Sequence, residues 1–281
     1  MIVQRIVQDS RARGVFSCPL YAPESNIFRP LPLPDADKRL NFTAIVLILY
    51  QKKDNFLIRK YKNMKNIPRI FIGDDIQSGA IVPLDKSVVH YLTRVMRTDT
   101  CLVFGGGREF NANVSPDNKT LVIGNETSHT DPANDITLMF APVKRTDDLL
   151  NMATQMGVAR FQPVITERTV ANHINWERMK KIVIESSEQS NRNSVPEILL
   201  PKKFADLDLS KIAFADERAA YGHDTKTCNG EIKTILVGPE GGFSESEFEK
   251  LDSAGACGIS LGKTILRAEL AAAIAISKLV G

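Results

Sequence analysis

Val237-Gly238-Pro239-Glu240-Gly241-Gly242-Phe243-Ser244 and Ser260-Leu261-Gly262-Lys263-Thr264-Ile265-Leu266-Arg267-Ala268-Glu269 are the two loops that decide the fold. An apolar run over residues 235–237 precedes the first loop and indicates a buried strand. Ser244 and Glu247 have the spacing of a capping box, which predicts a helix directly after this loop. Residues 268–279 are rich in Ala, Ile and Leu and predict a terminal helix. This order of elements is typical of a ligand crevice at the carboxyl edge of an α/β sheet.

The chain contains neither of two common nucleotide-binding motifs in full. Gly262-Lys263-Thr264 matches the end of a P-loop, but the glycine required five positions earlier is replaced by Cys257. Gly105 and Gly107 begin a dinucleotide-binding pattern, and Phe110 stands where its third glycine should be. ATP and NAD are therefore disfavoured as ligands.

Size and composition indicate a globular protein. The chain has 281 residues, of which 43% are hydrophobic and 25% are charged, enough for two ordinary domains with sizeable cores. The longest apolar run, over residues 42–50, is too short to span a bilayer, so we expect no membrane partner.

The cysteines show no C-x-x-C pairing, and no histidine lies at metal-ligand spacing from them. From this we expect no metal, in particular no structural zinc, and no disulfide framework, which suggests a reducing, cytoplasmic location. The cysteines concerned are Cys18, Cys101, Cys228 and Cys257.

Residues 1–63 differ from the rest of the chain. They contain 11 Lys and Arg against 5 Asp and Glu, so the positive net charge of the chain belongs to them. Any nucleic-acid site elsewhere must therefore be a local basic patch. Two interpretations remain open for residues 1–63: a poorly ordered extension of unknown role, or a segment that precedes a functional start at Met64.

Two domains are predicted after this segment. Several short strands separated by turn residues indicate a small β-barrel over residues 64–137. Asp85 is expected to cap a helix that runs to Met96. From 138 to 281, strands alternate with helices that begin at Thr146 and Asn175, which predicts a mostly parallel α/β domain. Three helices are predicted with apolar faces: Val88, Val89, Leu92, Val95 and Met96 on the first, Leu149, Leu150, Met152, Ala153 and Met156 on the second, and Trp176, Met179, Val183 and Ser186 on the third.

The motifs in this order resemble the RsmE family, bacterial methyltransferases that act on uridine N3 of 16S ribosomal RNA. The resemblance covers about residues 64–281, and the two loops are its most specific part. The motifs are Pro68–Phe71, His90–Arg97, Met152–Val158, Thr166–Thr169, Glu188–Arg192, Gly238–Gly242 and Leu261–Glu269.

The resemblance implies a PUA-like RNA-binding barrel at 64–137 and a SPOUT methyltransferase domain with a trefoil knot at 138–281. It also implies S-adenosylmethionine as cofactor, 16S rRNA within the small ribosomal subunit as partner, and a homodimer. The residues expected to bind the cofactor are Gly238, Glu240, Gly241, Gly242, Leu261, Gly262, Ile265 and Leu266. A glycine in such loops allows close approach of the backbone to a ligand, although it can also serve only as a turn former.

Methyl transfer to uridine N3 needs removal of the imide proton and alignment of the nitrogen with the sulfonium methyl. Arg267 and Glu269 are the candidate catalytic residues, as donors or charges beside the developing uridine anion. A pair that only holds the loop is the alternative interpretation. No general base is identified.

Four arginines are the candidates for binding RNA phosphates or an unstacked base, namely Arg69, Arg94, Arg97 and Arg168. Arg94 and Arg97 are three residues apart and are expected to share one face of a helix. An ordinary solvated arginine pair is the other reading of that spacing.

The sequence departs from the family pattern at two places. Met152 and Gln155 stand where the family helix carries charges, which puts in doubt any catalytic or RNA role of that helix. Leu270 replaces a threonine beside the second loop. Two alternatives to the methyltransferase of uridine N3 remain: an RNA-binding ribosome-assembly protein without turnover, and a SPOUT methyltransferase that acts on another RNA.

Overall fold

The computed structural model contains two compact units, Met1–Leu57 and Ile58–Gly281. The structure describes residues 67–170, 174–225, 228 and 232–280. All of these belong to the second unit. The predictions for residues 1–63, and for a functional start at Met64, lie outside the described residues.

Five strands of the second unit form a mixed sheet in the order β1-β3-β4-β5-β2. β1 pairs with β3 in parallel, and the other neighbours are antiparallel. Apolar side chains that include Ile70, Leu92, Val103 and Phe110 form the core against this sheet. The strands are β1 (Arg69–Phe71), β2 (Ile81–Pro83), β3 (Thr100–Gly105), β4 (Arg108–Val114) and β5 (Thr120–Glu126).

The helix predicted up to Met96 changes type along its length. Helix α1 (Lys86–His90) follows Asp85, whose side chain makes no capping hydrogen bond, and a π-helix continues it over Tyr91–Met96. Val95 is 59% exposed, so the predicted apolar face is wrong at this position. A π-helix has a wider turn than an α-helix, which carries side chains off the α-helical stripe.

Seven strands form a second sheet, in which every pairing is parallel. The order is β12-β10-β11-β6-β7-β8, with β9 also paired to β7. The mostly parallel α/β prediction is therefore confirmed. The strands are β6 (Thr137–Phe140), β7 (Arg160–Ile165), β8 (Glu197–Ile198), β9 (Lys202–Lys203), β10 (Ile212–Asp216), β11 (Thr234–Val237) and β12 (Cys257–Ser260).

Helices cover both faces of this sheet because its central strands are buried on both sides. On β11, Ile235 and Val237 join the core with α2, α3 and α5, whereas Leu236 packs with Leu251 of α4. The helices are α2 (Thr146–Gln155), α3 (Trp176–Gln189), α4 (Glu245–Ser253) and α5 (Ala268–Val280). No described helix is long and apolar enough to cross a membrane.

The predicted helix boundaries are confirmed, but two predicted core positions are wrong. The capping box at Ser244 and Glu247 forms in both directions, and Asn175 caps α3 by accepting from the backbone N–H of Arg178. Met152 is 40% exposed and Trp176 is 38% exposed, so neither belongs to the buried face of its helix.

Arg69 joins the first sheet to the end of α3. Its guanidinium donates to the Glu109 carboxylate, to the Asn193 amide oxygen and to the carbonyls of Ser187 and Arg192. The Arg69 side chain is only 7% exposed. The expectation that Arg69 contacts RNA is therefore wrong, because its donors are used inside the protein.

The cysteine prediction is also wrong. Cys228 and Cys257 form a disulfide, with their Cα atoms 5.7 Å apart and a sequence separation of 29. The absence of a C-x-x-C motif does not exclude pairing between distant cysteines brought together by the fold. The inference of a reducing location, which depended on free cysteines, therefore loses its support.

Candidate active site

The two loops meet because their strands are near neighbours in the parallel sheet. β10 lies between β11 and β12, and Asp216 at the end of β10 is in register with Ser260 at the end of β12. The first loop leaves β11 after Val237, the second leaves β12 after Ser260, and Glu217 follows β10. A crevice therefore forms at the carboxyl edge, where α/β proteins bind ligands.

A pocket lies between these three chain segments. Six of the eight residues expected to bind a cofactor line it: Gly238, Glu240, Leu261, Gly262, Ile265 and Leu266. Gly241 and Gly242 are outside the lining. The end of β10 and the residues after it contribute Ala215, Asp216, Glu217 and Ala220, and the start of α5 contributes Ala268 and Ala271. The remaining lining residues are Val237 at the end of β11 and, in the two loops, Pro239 and Thr264. The combination of apolar walls, exposed backbone and a few polar groups is suited to a small organic ligand.

The first loop is braced from several sides. Arg168 donates from Nη1 to the carbonyls of Gly241 and Phe243 at 2.9 and 3.0 Å. The Glu240 carboxylate accepts the backbone N–H of Lys144 at 3.0 Å. The ring of Phe243 is buried among Phe204, Phe214 and Phe248. The backbone of this loop is therefore fixed before any ligand arrives.

Gly242 must be glycine for two reasons. Its φ of 69° lies in the left-handed region, and a Cβ added there would lie 1.9 Å from Oε1 of Glu217. The carboxylate of Glu217 thus occupies the space that a side chain at position 242 would need. Because Gly242 has no side chain, the Glu217 carboxylate can lie against the backbone of the first loop.

Glu217 is half-buried at the pocket wall. Its burial, together with the negative charge of Asp216, raises the pKa of its carboxyl group. The backbone N–H of Phe243 and the charges of Arg168 and Arg218 act in the opposite direction. Arg218 itself is bonded to Asp216 and Asp252, so it is not free to pair with Glu217.

The second loop is far less enclosed. Residues 262–265 are exposed, and Ile265 is 57% exposed. Gly262 donates its backbone N–H to the Ser260 hydroxyl at a long 3.4 Å. This loop offers backbone and apolar side chains to a ligand with little to hold them beforehand.

The two candidate catalytic residues do not pair with each other. Glu269 is 8% exposed and lies 3.8 Å from the guanidinium of Arg145. Arg267 is exposed, and its side chain has no hydrogen-bond or ion-pair partner within the described residues. Both flank the pocket without lining it. The expected Arg–Glu pair that holds the loop is therefore replaced by Arg145 and Glu269.

The remaining candidate RNA-binding arginines lie at the surface. Arg94 is exposed within the π-helix, and Arg97 is exposed beyond it with a φ of 53°. The premise that both lie on one α-helix is wrong, because Arg97 ends the helix in the left-handed conformation. Arg168 is exposed as a residue, although one of its nitrogens holds the first loop. No cluster of three or more metal-binding side chains occurs among the described residues.

Sequence reasoning missed Lys144, Arg145 and Glu217. Lys144 and Arg145 follow β6, immediately before α2, and contact one residue from each loop motif. Glu217 follows β10. Each lies just beyond the carboxyl end of a predicted parallel strand, and that position was the signal that could have identified them.

The class of protein follows from this fold and from a comparison with known families. Residues 130–280 match the family described as "RNA methyltransferase domain". This range covers the whole second sheet and both loops.

Comparison with individual proteins narrows the class. The ribosomal RNA small subunit methyltransferase E of Rickettsia conorii is 32% identical over 231 residues, which are 75% of this chain and 93% of that protein. The S-adenosylmethionine-bound crystal structure of the enzyme of the same name from Neisseria gonorrhoeae superposes with a TM-score of 0.64 at 29% identity, covering 75% of this chain and 95% of that one. A probable rRNA-methyltransferase from Porphyromonas gingivalis gives 0.63 at 28% identity, covering 75% and 96%. This chain belongs to the ribosomal RNA small subunit methyltransferase E family, which confirms the resemblance drawn from its motifs.

Proposed function

We propose that this chain is an S-adenosylmethionine-dependent methyltransferase that methylates N3 of a uridine in 16S rRNA of the small ribosomal subunit. One observation carries the proposal. The two glycine loops leave the carboxyl ends of β11 and β12, the two parallel strands on either side of β10, and line one pocket. Support comes from the related Neisseria gonorrhoeae enzyme, whose structure contains S-adenosylmethionine.

The pocket residues fit this cofactor. Gly238 and Gly262 line the pocket with backbone that can hydrogen-bond to an adenine edge, and Ile265 and Leu266 offer apolar contacts to its face. When bound, the cofactor supplies a methyl group on a sulfonium centre. The residues of this chain orient the uridine so that N3 approaches that methyl in line, and orientation of this kind supplies much of the rate.

The charged groups beside the pocket have two proposed roles, stabilisation of the developing negative charge and positioning of the residue that stabilises it. In the proposed reaction the N3 proton passes to water, and N3 then forms the new N–CH3 bond as the S–CH3 bond of the sulfonium breaks. S-adenosylhomocysteine is the co-product. Arg267, whose side chain has no partner among the described residues, can donate to a uridine oxygen as negative charge develops. Glu269, nearly buried and paired with Arg145, sets the start of α5 and thereby the direction of Arg267.

The proposal includes a division of labour along the chain. Residues 64–137 form a PUA-like RNA-binding barrel, and residues 138–281 form a SPOUT domain whose final segments make a trefoil knot. Arg94, Arg97 and Arg168 are exposed and serve as the RNA contacts. A homodimer is part of the proposal, since Ile265 and Leu270 are 57% and 46% exposed beside the pocket, where a second subunit would cover them. The cytoplasmic location follows from the ribosomal substrate.

A bacterial strain that lacks N3-methyluridine in its small-subunit RNA provides the test. Expression of this chain should restore one N3-methyluridine, located by mapping reverse-transcription stops along 16S rRNA. The Arg267→Ala variant is expected to restore much less at equal protein level. Binding to small subunits without any restored modification would favour an assembly factor without turnover. A new methyl group on another RNA would instead place the substrate elsewhere.

A further inference from the structure

Glu217 is an acidic group placed in the cofactor pocket by the fold itself. It follows the last residue of β10 and begins a 3-10 helix over Glu217–Tyr221. It lines the same pocket as the two glycine loops. Because β10 is the strand between β11 and β12, Glu217 lies between the two loops.

The first loop lies directly beside this carboxylate. Oε1 of Glu217 is so close to Gly242 that a Cβ added there would be 1.9 Å away. The backbone N–H of Phe243 favours the charged form of the carboxylate and so acts to lower its pKa. The Glu217 carboxylate is therefore at the wall that the first loop contributes to the pocket.

The negative charge of Glu217 is poorly compensated. In the described part of the chain no Lys or Arg forms an ion pair with it. Arg218 is bonded to Asp216 and Asp252, and Arg168 donates to the carbonyls of Gly241 and Phe243. A half-buried carboxylate that has no ion-pair partner among the described residues is costly, and a cationic ligand would reduce that cost.

The other acidic groups at the pocket are less available. Asp216 is 2% exposed and paired with Arg218 at 2.8 Å. Glu240 is exposed and uses one oxygen to accept the backbone N–H of Lys144. Glu217 is therefore the pocket acid best placed to meet a positive charge.

We propose that Glu217 recognises the positive charge of the methyl donor, and so favours the cationic cofactor over uncharged analogues. The inference rests on the proposed function, in which the pocket holds S-adenosylmethionine. That molecule carries a sulfonium and an ammonium group. S-adenosylhomocysteine keeps only the ammonium, and 5′-methylthioadenosine carries neither.

Calorimetric titration of these three ligands tests the proposal, with the unmodified full chain and with its Glu217→Gln variant. The substitution keeps the shape of the side chain and removes its charge. Loss of one charge-assisted contact should weaken S-adenosylmethionine roughly 10- to 100-fold. Binding of 5′-methylthioadenosine should stay within about twofold of the unmodified protein. If Glu217 contacts the ammonium group, Glu217→Gln should weaken S-adenosylhomocysteine as much as S-adenosylmethionine. If it contacts the sulfonium, the affinity for S-adenosylhomocysteine should stay unchanged, as that for 5′-methylthioadenosine does. Glu249→Gln, on the exposed side of α4, is the matched control.

Three results would overturn the inference. Equal weakening of all three ligands would show that Glu217 only holds the first loop, and unchanged binding of S-adenosylmethionine would show no role. If the unmodified protein bound none of the ligands, the proposed function would fail together with the inference. If Glu217→Gln does not fold, the pH dependence of ligand affinity in the unmodified protein still tests the proposal. Its affinity for S-adenosylmethionine should fall on acidification more than its affinity for 5′-methylthioadenosine, and equal falls would contradict the proposal.

Discussion

The two loops that form the pocket are held in different ways. The first, Gly238–Ser244, has buried residues at both ends and receives hydrogen bonds from Arg168, Lys144 and the α4 capping box. The second, Leu261–Arg267, is exposed over most of its length and is connected to the core mainly through β12 and α5. One wall of the pocket is therefore preformed and the other is adaptable, so cofactor binding should order the second loop and leave the first unchanged.

The disulfide gives the largest expected effect, since it anchors β12, the strand that leads into the second loop. Cys228→Ser opens a cross-link with a sequence separation of 29. Without the cross-link the unfolded chain has more conformational entropy, so the free energy of unfolding should fall by about 3–4 kcal/mol. Chemical denaturation of the variant and of the unmodified protein, both without reductant, measures the change. In the variant, backbone hydrogen exchange should also become faster in the second loop than in the first. Unchanged stability, or an equal change of hydrogen exchange in the two loops, would contradict the role of the disulfide as the anchor of the second loop.

Substitution of one glycine in each loop sharpens the comparison. Gly242→Ala places a Cβ against Glu217 and should lower stability by about 1–3 kcal/mol and abolish measurable cofactor binding. Gly262→Ala has a φ of 116° but no atom within 4 Å of the added Cβ. It should therefore retain weakened binding, because an open loop can shift. Thermal unfolding and calorimetry distinguish the two variants. A worse result for Gly262→Ala would reverse the roles assigned to the loops.

Removal of the brace on the first loop should have a smaller effect. Arg168→Met keeps most of the side-chain stem and removes two hydrogen bonds to the carbonyls of Gly241 and Phe243. We expect cofactor affinity to fall by about 1.5–3 kcal/mol, measured by calorimetry. Arg94→Met, which removes an exposed arginine in the first domain, should leave cofactor affinity unchanged. Equal losses in both variants would mean that the brace is not what holds the loop.

The pH dependence of cofactor affinity should be the smallest effect. Burial and the charge of Asp216 raise the pKa of Glu217, so part of this group is protonated above the ordinary glutamate range of about 4.3. A bound cation favours the ionised form. Affinity for S-adenosylmethionine should therefore rise as pH increases from the ordinary glutamate pKa through the raised pKa, and then level off. Calorimetry across this range checks the sign, and a fall in affinity with rising pH would contradict it.

The parts of the fold that follow from local sequence patterns could be predicted. The capping box of Ser244 and Glu247, the Asn175 cap and the apolar strand before the first loop all depend on neighbouring residues, and each appears where expected. The pocket lining followed from the two loops, because parallel strands end at a common edge.

Features set by distant contacts could not be predicted. Arg69 is the first residue of β1, and only the fold brings it to Ser187, Arg192 and Asn193. The pairing of Glu269 with Arg145 and of Cys228 with Cys257 joins residues that no local pattern relates. The π-helix after His90 likewise changed which side chains are exposed.

The most direct test of the account is methyl transfer by the purified chain. S-adenosylmethionine carrying an isotopically labelled methyl group is incubated with small ribosomal subunits that lack N3-methyluridine, and the RNA is then digested to nucleosides for mass spectrometry. The account predicts labelled N3-methyluridine, formed by the unmodified protein and lost with Gly242→Ala. Label in a different nucleoside, or no label while the cofactor is bound, would contradict it.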